Sequence, residues 1–196
     1  MRLILCLPLY VFCIATTVQA ASLTVTNLPP PQAGWEASKD VPLPPRQAET
    51  RLFKAEITFT ATVSNNVQMA FGKDTDGDSF LPAEETSATV GWDRGAWFIL
   101  SPDLLQRFTC VPPDAAVATN RTLQMSMRLS ANGDPLSLSF KDGNGAALVF
   151  EGLEGIPSWI SPARWDTAAL TARGWDTRDE EATFTFVVDG TRILLR

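Results

Sequence analysis

The clearest chemical signal in the chain is a run of carboxylates between residues 74 and 85. Asp74, Asp76 and Asp78 alternate with other residues, and Glu85 closes a window of twelve residues. Carboxylates at this spacing wrap oxygen ligands around a hard cation, and calcium is the cation that takes such ligands. Phe80 would add its backbone carbonyl at the seventh place. The spacing therefore predicts a calcium site made by Asp74, Asp76, Asp78, Phe80 and Glu85.

The same twelve residues resemble the calcium loops of EF-hands and dockerin modules, and the Asp-x-Asp-x-Asp turns of thrombospondin-type repeats. Two places differ from the pattern that the resemblance implies: Ser79 stands where glycine is usual, and Pro82 has no side-chain ligand. The flanking residues 67–71 and 87–92 look like strands, so we expect a strand-loop-strand site and not a helix-loop-helix sensor. The alternative is a solvated acidic turn without metal, because Asp, Gly and Ser are ordinary turn residues.

The first twenty residues have the pattern of a secretory signal peptide. Arg2 precedes an apolar run over 3–14, and Ala20 ends a Val-Gln-Ala sequence that a signal peptidase would cleave. An apolar run of this length is too short to span a bilayer as a helix. We therefore expect residues 1–20 to be removed and the mature chain to be secreted, periplasmic or at the cell surface. An uncleaved N-terminal anchor is the alternative.

The residue types of the mature chain exclude several classes of function. Removing Arg2 from the 16 basic residues leaves 15 against 22 acidic ones, a net charge of −7 without a basic stripe, which argues against a nucleic-acid partner. The chain has no histidine, so it cannot use Ser-His-Asp or Cys-His catalysis or a histidine zinc site. Cys110 is the one cysteine after position 20, which excludes a disulfide within the mature chain.

Apolar residues recur at every second position along most of the mature chain, which is the period of a half-buried strand. Asn132-Gly133 separates two such runs, as a hairpin turn would. About ten short strands separated by turn signals predict an all-β fold, either a β-sandwich or a jelly roll. The strand patterns cover 22–27, 57–63, 67–71, 87–92, 123–129, 136–140, 147–151, 168–172, 182–188 and 192–195.

Two segments depart from this period. Ser101, Pro102 and Asp103 supply an N-cap, a proline at the first helical position and an acidic first turn, so we expect one short helix over 102–108. Prolines crowd residues 28–48, which we interpret as a linker or as a loop that wraps the domain. The predicted organisation is a signal peptide (1–20), an N-terminal strand with this proline-rich segment (21–48) and a β-sandwich domain (49–196).

Tryptophans provide a second candidate site. Trp92 and Trp97 flank a tight turn, and an exposed tryptophan on a β-sandwich can stack on a sugar ring, so both are candidate ligand-stacking residues. The alternative is that they belong to the core, where tryptophans that alternate with other apolar residues usually lie. Segments 136–151 and 164–195 resemble concanavalin-like and laminin-G-like sandwiches, and that resemblance implies glycan and calcium binding. The acidic loop and the Gly-Trp-Asp turn after it also resemble secreted bacterial β proteins.

We hypothesise a non-catalytic, secreted or cell-surface β-sandwich with a structural calcium site, which serves in adhesion, carbohydrate binding or envelope structure. One alternative is a glycan hydrolase or lyase that works with carboxylates alone, for which the acidic cluster Asp176, Asp179, Glu180 and Glu181 supplies candidates. Another alternative is a subunit of a surface layer that assembles with itself through exposed apolar edges.

Overall fold

Alternating apolar residues form most of the strands in the part of the chain that the structure describes. The computed structural model describes residues 21–25, 36–45, 50–60, 66–78, 81–112, 120–173 and 182–189. These ranges contain one helix, the 3₁₀ helix at Pro162–Arg164. No helix in these ranges is long and apolar enough to cross a membrane. The strands are β1 (Ala21–Val25), β2 (Glu36–Pro42), β3 (Leu52–Thr60), β4 (Asn66–Gly72), β5 (Thr86–Asp93), β6 (Ala96–Leu100), β7 (Arg107–Cys110), β8 (Asn120–Leu129), β9 (Pro135–Lys141), β10 (Thr167–Arg173) and β11 (Ala182–Asp189).

The strands form two antiparallel sheets that face each other as a sandwich. The five-stranded sheet has the order β1-β11-β3-β8-β9, and the six-stranded sheet has the order β2-β10-β4-β5-β6-β7. Side chains of both sheets meet in one core, where Phe53 of β3 lies edge-on to Phe71 of β4 with 5.8 Å between ring centroids. The prediction of an all-β sandwich of about ten short strands is confirmed.

The period of two decides which face of each strand is buried. Along β3 the odd-numbered side chains lie in the core, while Lys54 between them is exposed. β8 and β4 repeat this pattern, and each large apolar side chain that leaves water contributes about 1.5–3 kcal/mol to folding. A slip of one residue in register would turn every one of these side chains to solvent. The inward residues of the three strands are Phe53, Ala55, Ile57, Phe59, Val67, Met69, Phe71, Leu123, Met125, Met127 and Leu129.

An aromatic cluster fills the core beneath β5 and β6. Trp92 and Trp97 are each only 1% exposed, and their rings meet edge-on with 5.2 Å between centroids. Phe59 packs against Trp97 at 5.8 Å, and the Arg121 guanidinium lies 5.4 Å from the Trp92 ring centroid. The prediction that Trp92 and Trp97 stack on a ligand is therefore wrong. Both indoles point into the sandwich because they share the parity of the other buried residues in their strands.

The helix predicted over 102–108 is absent, and that prediction is wrong. Residues 102–106 form the turn of the β6–β7 hairpin, in which the Ser101 amide donates to the Gln106 carbonyl at 3.0 Å. Asp103 accepts hydrogen bonds from the Ser101 hydroxyl and, at 3.1 Å, from the Leu105 amide. These local bonds compete with a helix. Leu104 then takes a φ of 61°, a left-handed conformation through which no right-handed helix continues.

The sandwich also includes residues before position 49. β1 pairs with β11 in the five-stranded sheet, and β2 pairs with β10 in the six-stranded sheet. The interpretation of 28–48 as a linker or wrapping loop is therefore wrong for residues 36–42. Pro42, the last residue of β2, is tolerated because β2 is an edge strand, where an amide donor can be missing. Residues 26–35 and 46–49 lie outside the described residues.

Two predicted features around β9 have different outcomes. The hairpin at Asn132-Gly133 is confirmed: it joins β8 to β9, and Gly133 has the positive φ of 86° that such turns favour. Residues 147–151 were expected to form a strand, but only two isolated bridges occur there, Lys141 with Ala147 and Thr109 with Glu151. This segment therefore crosses from the edge of one sheet to the edge of the other. The strand predicted at 192–195 lies outside the described residues.

We predict that Trp97→Ala lowers the free energy of unfolding by about 3–5 kcal/mol, because it empties a fully packed aromatic position. Trp159→Ala is the matched control, since Trp159 is only partly buried and should cost clearly less. Urea unfolding followed by circular dichroism measures both values. Equal losses in the two variants would contradict the central position of Trp97.

Candidate functional site

The acidic loop connects β4 to β5, as expected for a strand-loop-strand site. Its two ends are drawn together at Gly72 and Glu85, where the Lys73 amide donates to the Glu85 carbonyl at 3.3 Å. The amide and hydroxyl of Thr86 both donate to the Pro82 carbonyl, at 3.1 and 3.0 Å. The β4–β5 register shifts between Phe71 and Gly72, so a bulge starts the loop. These contacts hold Glu85 beside the start of the loop.

The three predicted aspartates lie together. One carboxylate oxygen from each of Asp74, Asp76 and Asp78 lies within 4.8 Å of the others. The Gly77 amide donates to Asp74 Oδ1 at 2.6 Å, and the Asp78 amide donates to Asp76 Oδ1 at 3.2 Å. Gly77 has a φ of 78°, which glycine adopts without strain, so the left-handed residue sits at position 77. The backbone thus turns tightly enough to point alternate carboxylates at one place.

Glu85, at the far end of the loop, is hydrogen-bonded to Thr75 at its start. Its Oε1 accepts a hydrogen bond from the Thr75 amide at 3.2 Å and another from the Thr75 hydroxyl. Its Oε2 is buried and has no hydrogen-bond partner among the described residues. A buried carboxylate oxygen without a donor is costly. Ser79 and Phe80 lie outside the described residues, so the predicted Phe80 carbonyl ligand stays a prediction.

The pKa of Asp76 depends on the neighbouring carboxylates. The hydrogen bond from the Asp78 amide acts to lower the pKa of Asp76. Desolvation and repulsion from Asp78, Glu85 and Asp74 act in the opposite direction, and together they raise the pKa above its ordinary value of 3.8. The other three predicted carboxylates therefore all act on Asp76. A cation placed between them would remove the repulsion.

Two further carboxylates position the loop, and the sequence analysis did not identify them. Asp166 Oδ1, just before β10, accepts from the Asp74 amide at 2.9 Å and from the Thr167 hydroxyl at 3.1 Å. Asp40 Oδ2, on β2, accepts from the Leu81 amide at 2.7 Å. These contacts join residues 92 and 41 positions apart, and no local spacing signals them. Asp166 thus attaches the start of the acidic loop to β10, and Asp40 attaches its later part to β2.

The donor set determines which ions this site suits. It consists of carboxylate oxygens, which are hard ligands, and contains neither histidine nor cysteine. Calcium accepts six to eight such oxygens in flexible geometry, whereas zinc prefers nitrogen and sulfur ligands. The residues present therefore fit a calcium ion. The Oε2 of Glu85 is already desolvated and without a hydrogen-bond partner among the described residues.

The other candidate residues are not brought to this loop. Trp92 and Trp97 lie in the core. Asp176, Asp179, Glu180 and Glu181 lie outside the described residues. Cys110, on β7, is partly buried, and this burial raises the pKa of its thiol although a backbone hydrogen bond at Val149 opposes the shift. A raised pKa keeps the thiol protonated and unreactive near neutral pH.

No family model matches the chain, and no curated protein sequence does. Several solved structures are similar in fold. The globular domain of calreticulin from T. cruzi has a TM-score of 0.50 at 8% identity, over 82% of this chain and 71% of that one. A tetrameric galectin from the ball sponge Cinachyrella sp. has a TM-score of 0.46 at 10% identity, over 78% and 99%. Winged bean acidic lectin, complexed with methyl-α-D-galactose, has a TM-score of 0.44 at 8% identity, over 87% and 99%. At these identities the similarity shows the fold alone.

We predict that Gly72→Ala destabilises the protein by about 2 kcal/mol or more, because a methyl group there would lie 2.1 Å from the Glu85 carbonyl oxygen. Gly143→Ala is the matched control: its methyl would meet only the Thr122 side chain, at 3.2 Å, and should cost less than about 1 kcal/mol. Thermal and urea unfolding measure both. Equal losses of stability in the two variants would show that closure of the loop does not depend on Gly72.

Proposed function

We propose that the chain is a non-catalytic, secreted or cell-surface β-sandwich whose acidic loop is held by a structural calcium ion. The observation that carries the proposal is the cluster of three aspartate oxygens within 4.8 Å of one another, in a loop where Glu85 acts electrostatically on Asp76 and has its Oε2 buried without a described hydrogen-bond partner. A cation would give the orphaned oxygen its partner. Export rests on the signal-peptide pattern of residues 1–20. N-terminal sequencing of the mature protein tests it, because cleavage after Ala20 would leave Ala21 as the first residue.

The place of the loop in the fold supports a structural role for the ion. Asp74 and Leu81 are hydrogen-bonded to Asp166 and Asp40, so the loop is connected to β10 and to the edge strand β2. An ion that orders the loop would therefore also stabilise the docking of β2. Magnesium is a weaker candidate, because it requires a strict octahedron and retains several waters.

The alternative of a carboxylate-dependent glycan hydrolase or lyase has less support. The clustered aspartate oxygens lie within 4.8 Å of one another, whereas carboxylates that flank a scissile glycosidic bond are about 5–10 Å apart. One cavity is lined by residues such as Leu43, Phe53 and Trp165, and another by aliphatic residues around β9. Neither of these two cavities is lined by a carboxylate.

Calcium should raise the unfolding temperature of residues 21–196 by about 5–10 °C over the value in EGTA, at a concentration of about 100 times Kd. Asp76→Asn should lose this response. Because the pKa of Asp76 is raised in the fold, its ionised form opposes folding once the pH rises from the ordinary 3.8 through the folded value. In EGTA at pH 7 the variant should therefore unfold at the parent temperature or slightly above it.

Asp142→Asn is the matched control for this experiment. Asp142 also accepts two backbone amide hydrogen bonds in a turn, from Asn144 and Ala146, and the turn is far from the acidic loop in the sequence. This variant should keep the full calcium response. If the parent shows no calcium response, or if Asp76→Asn and Asp142→Asn respond equally, the loop is an ordinary acidic turn and the proposal fails.

For the partner of this module we propose a glycan, and the observation that favours it is the position of Trp159. This indole is only partly buried, and its Nε1 donates to Gln106 Oε1 at 3.0 Å, which fixes the orientation of the ring. A partly exposed ring that is held in place provides a surface on which a sugar can stack. Trp159 would thus take the role that the sequence predicted for Trp92 and Trp97.

We expect the mature chain to bind at least one class of oligosaccharide on a glycan array in millimolar calcium. Trp159→Ala should reduce that binding about two- to tenfold, because a lost stacking contact is worth about 0.5–1.5 kcal/mol. Trp159→Phe should retain most of it. Binding that is unchanged in Trp159→Ala would place the glycan surface elsewhere, and the absence of any binding would argue against a glycan partner.

A further inference from the structure

An apolar groove opens at the edge of the sandwich between β9 and residues 147–156. Its volume is about 400 Å³. Leu136 on one side is 66% exposed and Val149 on the other is 80% exposed, although aliphatic side chains of this size are usually buried. Contiguous exposed apolar surface marks a place where a partner packs. The aliphatic lining consists of Leu136, Leu138, Leu148, Val149, Leu153 and Ile156.

β9 also presents free backbone groups to this groove. It is the last strand of the five-stranded sheet, and the Phe140 carbonyl accepts from the Leu148 amide at 2.9 Å on the side away from β8. Alternate residues of an antiparallel strand direct their backbone groups to the same side, so the amide and carbonyl of Leu138 also point away from β8. Among the described residues no backbone group bonds to Leu138 on that side. One donor and one acceptor therefore lie beside the aliphatic lining.

The free part of this edge is short. The bond from Leu148 and the bridge between Lys141 and Ala147 occupy the edge beyond Ser139. Pro135 begins β9 at the other end and has no amide to donate. A second copy of β9 would bring the same occupied end with it, and proline and lysine at the ends of an edge strand oppose pairing along its whole length. An extended segment of about four residues, roughly 13 Å long, fits between the two ends.

The border of the groove is acidic. Asp134, Glu151 and Glu154 are exposed and lie close in sequence to the lining residues. Lys141 is the only basic residue of the sequence between positions 134 and 156. Because charges of opposite sign steer a partner and fix its orientation, the border favours a segment with lysine or arginine beside its aliphatic residues.

We propose that the groove binds an extended segment of a partner protein, basic at its ends and aliphatic between them, which adds to the edge of β9 as a short strand. The partner residue opposite Leu138 exchanges both backbone hydrogen bonds with it and places an aliphatic side chain in the groove. Main-chain hydrogen bonds then supply affinity, and the groove supplies specificity for alternate side chains. This inference depends neither on the calcium ion nor on the glycan.

A pair of methylated peptides tests the strand geometry on the mature chain. The probe is acetyl-Lys-Leu-Thr-Leu-Lys-amide, whose leucines turn both side chain and amide to the protein when it lies as a strand, while the threonine amide points away. N-methylation of both leucines should weaken binding at least about tenfold, because it removes the donors. N-methylation of the threonine is the matched control and should change binding less than about twofold. Isothermal titration calorimetry measures all three peptides.

A lysine substitution tests the position of the site. Leu136→Lys should weaken binding of the unmodified probe at least about tenfold, because it replaces one apolar wall by a charge of the same sign as the probe. Leu105→Lys is the matched control and should bind as the parent does. Leu105 is also an exposed leucine, but it lies on the β6–β7 turn and does not line the groove.

A charge-reversed probe tests the acidic border. Replacing both lysines of the peptide by glutamate should weaken binding at least about threefold. This difference should shrink in about 1 M salt, where the Debye length falls to about 3 Å.

Three results would overturn the proposal. If the two methylated probes bind equally, the occupant does not pair with β9 as a strand. If the unmodified probe does not bind, or binds Leu136→Lys and Leu105→Lys equally, the groove is not the site. If light scattering shows a dimer of the mature chain that Leu136→Lys dissociates, a second copy covers the groove in place of the partner segment.

Discussion

Repulsion between carboxylates in the loop from β4 to β5 is the constraint that the surrounding structure must satisfy. One carboxylate oxygen from each of Asp74, Asp76 and Asp78 lies within 4.8 Å of the others, and Glu85 at the far end of the loop has one oxygen buried and unbonded among the described residues. Although the hydrogen bond from the Asp78 amide lowers it, the pKa of Asp76 is raised by desolvation and by repulsion from Asp78, Glu85 and Asp74. A divalent cation would replace this electrostatic repulsion with attraction, because it attracts all four carboxylates.

The rest of the fold supplies the rigidity that such crowding requires. Gly72 lets the two ends of the loop approach more closely than a side chain would permit. Asp166 and Asp40 hold the Asp74 and Leu81 amides, so two distant parts of the chain attach the loop to β10 and β2. The packed core beneath, with Trp92 and Trp97 at its centre, keeps β5 in place. The loop therefore cannot relax by moving its ends apart.

The sequence predicts the sandwich well because a period of two marks the buried face of each strand locally, as in β3 and β8. It also brings the three aspartates together, since their spacing lies within one loop. The errors arise where a tertiary contact overrides a local signal. Ser101 and Asp103 bond to the hairpin turn and not to a helix, and Trp92 and Trp97 turn inward with their strands. Asp40 and Asp166 have no local signal at all, because their partners are far away in the sequence.

A crystal structure of the mature chain grown in millimolar calcium, with the anomalous signal of the ion recorded, tests the central claim most directly. We expect one ion in the loop, with oxygens of Asp74, Asp76, Asp78 and Glu85 at about 2.3–2.6 Å from it. We also expect Glu85 Oε2 to be a ligand. A loop that shows only water between the carboxylates, with Glu85 Oε2 still unpaired or turned to solvent, would contradict a calcium-held loop.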